Sequence, residues 1–80
     1  MTASKEDVQA AVIGLFGGKA ETLKLREQVG LTNSQVRGLV TDLNQIVVQF
    51  GGTRAVTAGE AENCVTIGDA VALVAKKVLS

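Results

Sequence analysis

The chain has 80 residues, enough for one small domain, with eight basic and eight acidic residues and therefore no formal net charge. Histidine is absent, there is a single cysteine, and Phe16 and Phe50 are the only aromatic residues. This excludes an internal disulfide framework, a zinc site with recognisable ligand spacing, and base-stacking recognition of single strands. A domain this size buries only roughly 60% of the surface of its unfolded chain, so the core is thin and built from Val, Leu, Ile and Ala.

Taken in chain order, Ser4 followed by Asp7 has the spacing of a capping box and predicts a first helix. Val8, Ala11, Val12 and Leu15 give it one apolar face, and Gly17-Gly18 ends it. A shorter helix is expected over about 20–29, with Leu25 and Val29 on its buried side and Leu23 reaching the same core. Gly30 stops it. Thr32, with Gln35 three residues on, opens a third helix expected to run to about Asn44. Ile46 to Phe50 is β-branched and apolar, Gly51-Gly52 is a two-residue turn signal, and Thr53 to Thr57 alternates, which predicts a β-hairpin over about 46–57. In that register Gln49 faces Arg54 and Val48 faces Ala55. Residues 58–63 are expected to be a polar link. Thr66 and Asp69 then cap a last helix to about residue 79, with Ala70, Val71, Val74 and Val78 as its apolar stripe and Lys76 and Lys77 favourably placed in its final turns. That stripe either packs back on the domain or pairs with a second copy, and a homodimer is expected.

The order helix, helix, helix, hairpin, helix, with Leu25-Arg26-Glu27-Gln28-Val29-Gly30-Leu31, Thr32-Asn33-Ser34-Gln35-Val36, Leu39-Val40 and Leu43, resembles the winged helix-turn-helix transcriptional regulators over about residues 20–57. The resemblance implies a mainly α domain with a small hairpin that binds double-stranded DNA and regulates transcription. It places Asn33, Ser34, Arg37 and Thr41 on a recognition helix in the major groove, Thr53 and Arg54 on the wing, and Lys24 (with Lys19) on phosphates. Residues 17–57 hold five basic residues against three acidic ones, a slight positive bias on the motif. Arg26 departs from the family pattern, which has a small residue where the two helices cross; its side chain must reach solvent or tilt the helices.

Two other classes fit parts of the chain. Leu25-x-Glu27-x-Val29-Gly30 with a following serine is similar to the approach to the carrier site of acyl-carrier domains. Glu60-Ala61-Glu62, Thr66-Ile67 and a closing apolar helix look like that family's last third. The Asp-Ser-Leu triplet of the prosthetic-group serine is missing, Asn33-Ser34-Gln35 standing in its place, and so is the acidity with which carriers dock enzymes. A protein-interaction module that kept a helix-turn-helix shape without DNA binding is the other alternative, supported by the neutral charge. No enzyme activity, cofactor, metal or small-molecule substrate is expected: the carboxylates sit at helix starts, and no Lys-Ser/Thr follows Gly51-Gly52 as a phosphate loop requires. Cys64 reads as a small buried hydrophobe, because no positive charge flanks it. No secretion signal or membrane-spanning run is evident, which points to a cytoplasmic protein.

Overall fold

The computed structural model describes residues 4–79. They form four helices: α1 (Lys5–Leu15), α2 (Asn33–Gln49), α3 (Ala58–Glu62) and α4 (Ile67–Leu79). Each helix begins with the same device. Ser4 caps Asp7 N–H, Thr32 caps Gln35 N–H, Thr57 caps Glu60 N–H and Thr66 caps Asp69 N–H, and each acidic or amide partner accepts from the cap's own N–H. Two otherwise orphaned donors are thereby satisfied at every helix start.

The expected hairpin does not form. Ile46, Val47 and Val48 continue α2, which therefore extends past Asn44 to Gln49. Ile46 and Val47 are buried, so tertiary packing overrides the β preference of the run. Gly51-Gly52 ends this helix instead of turning a hairpin. Gly51 has φ 77°, its N–H donates to Val48 O at 3.0 Å, and Gly52 N–H donates to Val47 O at 2.8 Å. That is the paired-bond stop of a Schellman motif. Gly17-Gly18 ends α1 in the same way, through Gly14 O and Ile13 O. Val56 pairs with no strand: the Asn44 side-chain amide accepts from its N–H at 2.7 Å and donates to its carbonyl at 3.0 Å.

The expected helix over 20–29 is also absent. That segment is a series of turns, with one isolated antiparallel bridge between Lys24 and Thr66. Leu25 N–H donates to Val65 O, Ile67 N–H to Leu23 O and Gly68 N–H to Glu21 O. The segment thus divides its backbone bonds between its own turns, where Gln28 and Val29 N–H donate to Lys24 O and Leu31 N–H to Leu25 O, and residues 65–68. Among the described residues there are no strands beyond that bridge, so the architecture is all-α, without the helix-turn-helix pair and without the wing.

One core joins the four helices. α4 packs most extensively against α1, and α2 lies against α3, α4 and α1. Leu25, Leu43 and Ile67 are its largest fully buried side chains, with Val8, Val12, Val36, Val47 and Val74 around them. The stripe of α4 faces inward through Ile67, Ala70, Val71, Val74 and Ala75. Its apolar face is therefore covered within the chain, and α3 occupies the stretch expected as a polar link.

Candidate functional site on helix α2

α2 is the longest helix among the described residues and carries a broad exposed face. Ser34, Gly38, Thr41, Gln45 and Val48 are all exposed and recur at spacings of three and four, so they form a single stripe along it. The stripe carries no charge. Arg37 and Asp42 stand beside it, one of each sign.

At the N-terminal end of α2 most polar groups are engaged. Thr32 and Gln35 hold each other in the capping box. Asn33 Oδ1 accepts from Arg26 Nε at 2.6 Å. The same guanidinium donates through Nη1 to Cys64 O at 3.2 Å and through Nη2 to Glu62 O at 3.0 Å. Arg26 therefore neither tilts two helices apart nor points idly outward; it ties the turn segment, the start of α2 and the end of α3 together. Arg37 Nε lies 3.7 Å from Glu62 Oε1, a long and exposed ion pair. Ser34 is exposed, and its hydroxyl has no hydrogen-bond partner among the described residues.

At the other end, an open groove of about 470 Å³ is lined by Thr41, Asn44, Gln45 and Val48. It adjoins a second hollow lined by Asn44, Val47, Val48 and residues 52–55. Val48 is 73% exposed between them. Arg54 borders the second hollow and forms no ion pair among the described residues.

The seven residues expected to meet DNA thus fall into separate places. Asn33, Ser34 and Arg37 lie at the start of α2, with Asn33 and Arg37 occupied by Arg26 and Glu62. Thr41 lines the groove, and Thr53 and Arg54 line the adjoining hollow from a loop rather than from a wing. Lys24 sits in the turn segment, 3.5 Å from Glu27 and backbone-paired to Thr66. Arg26, Asn44 and Val48 were not singled out as site residues in the sequence. Asn44 and Val48 became visible only once residues 46–49 proved helical, since the stripe is invisible when that stretch is read as a strand.

Cys64 is buried, and burial, with a smaller contribution from Asp69, pushes its thiol up to about 11. It is a core residue with an unreactive thiol at neutral pH. Glu60 and Lys77 form the tightest ion pair, at 3.0 Å, joining α3 to α4. No group of three or more potential metal ligands occurs among the described residues, and no helix is long and apolar enough to cross a membrane. No family model, curated protein or solved structure matches the chain.

Proposed function

We propose that this chain is an acyl-carrier-type domain, a small helical module that presents a modified serine to partner proteins. The observation that carries the reading is the element order around Ser34. A helix, a long turn-rich connection, a second helix with an exposed serine in its first turn, a very short third helix and a closing helix follow one another. Acyl-carrier domains follow a similar order, a fold-level analogy joined here to a specific residue. The sequence likeness of residues 25–30 and 60–67 to that family points the same way.

A phosphopantetheine arm would be carried at the start of α2 by Ser34. Thr32, Asn33 and Gln35 are consumed by capping and by Arg26, which leaves Ser34 as the unengaged hydroxyl of the first turn. A phosphodiester there would meet the positive end of the helix dipole. The arm would supply a terminal thiol for thioester chemistry. The chain's own part is to hold Ser34 exposed on a rigid, doubly capped helix start, while Arg26 fastens that start to α3. Asn-Ser-Gln in place of Asp-Ser-Leu, and an uncharged α2 face, set this domain apart from the acidic carriers.

The test is incubation of the full chain with coenzyme A and a broad-specificity phosphopantetheinyl transferase, followed by intact-mass and peptide-mapping mass spectrometry. One phosphopantetheine added at Ser34, and none on Ser34→Ala, is the expected result. An unmodified chain under conditions that load a control carrier overturns the arm-bearing reading. Binding to duplex DNA is the second reading, favoured by the polar early face of α2 that Asn33, Ser34, Arg37 and Thr41 provide. Salt-sensitive amide shifts in residues 32–41 on addition of a short duplex would support it.

A further inference from the structure

The groove at the C-terminal half of α2 joins an exposed apolar side chain to a cation that has no acidic partner. Val48 stands between the two hollows, with Thr41 and Gln45 on one side and residues 52–55 on the other. Asn44 also lines the groove, with one amide N–H and its oxygen engaged by Val56. The lining contains no carboxylate, so nothing in the groove neutralises Arg54. Lys77, by contrast, is held by Glu60 at 3.0 Å. A surface of this kind favours an apolar side chain on Val48 and a carboxylate at Arg54, and disfavours a basic partner.

From this charge complementarity we infer that the groove is a docking site for an amphipathic helix of a partner protein that carries a carboxylate beside its apolar face. α2 offers the partner a ridge of Thr41, Gln45 and Val48, spaced to lie along a second helix. The uncharged stripe continues to Ser34, so the docked helix lies on the same face as the serine. The inference stands on the groove alone and is tested on the unmodified chain. Failure of loading at Ser34 leaves it untouched, and its own failure leaves the loading result untouched.

The experiment is an amide-shift titration of isotope-labelled chain with two designed amphipathic helical peptides. Both carry leucines four residues apart; one has flanking glutamates and its twin has lysines at the same positions. The glutamate peptide is expected to shift Thr41, Gln45, Val48 and residues 52–55, and to bind at least about tenfold more tightly than the twin. Arg54→Glu should reverse that preference while leaving the spectrum of the core unchanged, because Arg54 is exposed. Val48→Lys, also at an exposed position, should weaken both peptides. Equal binding of the twins, or shifts away from the groove, would overturn the inference. Concentration-dependent broadening of the groove resonances without peptide would overturn it too, by assigning the surface to a second copy of the chain.

Discussion

Gly51 and Gly52 stop α2 for different physical reasons. Gly51 adopts φ 77° with open space where a Cβ would stand, so its demand is purely conformational. Gly52 has an ordinary φ, but a Cβ there would lie 2.7 Å from Val47 Cγ1 and 3.1 Å from both Lys77 O and Val47 O. Replacing Gly51 by alanine should cost about 1–2 kcal/mol through left-handed strain. Gly52→Ala should cost more, because two of the three close atoms are backbone and α2 must move from α4. Urea denaturation of the two variants checks the order, and a smaller loss for Gly52→Ala would mean that α4 yields easily. The tripeptide Phe-Gly-Gly occurs twice, at residues 16–18 and 50–52, and ends a helix both times. The first was legible as a helix end. The second carries the identical local signal, but the β-branched residues before it give it the pattern of a hairpin turn.

At the scale of elements, the helix starts were the most legible feature. Three of the four capping boxes were read from the sequence, at Ser4, Thr32 and Thr66. The fourth, Thr57-x-x-Glu60, is masked by the alternation of Thr53 to Thr57, which has the pattern of a strand. Two of these boxes hold carboxyls whose titration the fold shifts. The Glu60 carboxyl is held below its ordinary range, chiefly by Lys77 and then by the Thr57 N–H. The Asp69 carboxyl is lowered by the N–H groups of Val65 and Thr66. A group with a depressed folded-state pKa stabilises the fold above its unfolded pKa, and that stabilisation is lost as pH falls through the folded value. Stability should therefore decline as pH falls below about 5, through the ordinary carboxylate range and beyond it. Glu60→Gln and Asp69→Asn should each flatten that decline, as read from urea midpoints across the range. A decline of unchanged steepness in both variants would place the acid sensitivity elsewhere. The connection over 16–32 was not legible, because its order comes from backbone bonds to residues 65–68, which no local pattern announces.

The whole molecule is held by a core in which aliphatic side chains do almost all the filling. Leu25 is fully buried although it belongs to no helix, so it fastens the turn segment to the core. Leu25→Ala should cost about 2–5 kcal/mol and loosen the segment that positions Arg26. The surface change Val48→Ala should stay within about 0.5 kcal/mol. Denaturation midpoints for the pair separate the two cases; equal effects would mean that the turn segment contributes little to the core. By itself the sequence determined the starts of α1, α2 and α4, the end of α1, the existence of an apolar stripe on α4 and the burial of Cys64, because capping spacing, glycine pairs and apolar periodicity act over a few residues. Only the tertiary structure decided whether Ile46 to Gln49 was strand or helix, where Arg26 and Asn44 spend their hydrogen bonds, and that α4 is covered by α1. Each of these depends on groups distant in sequence, whose burial and backbone pairing outweigh the modest local preferences of the residues concerned.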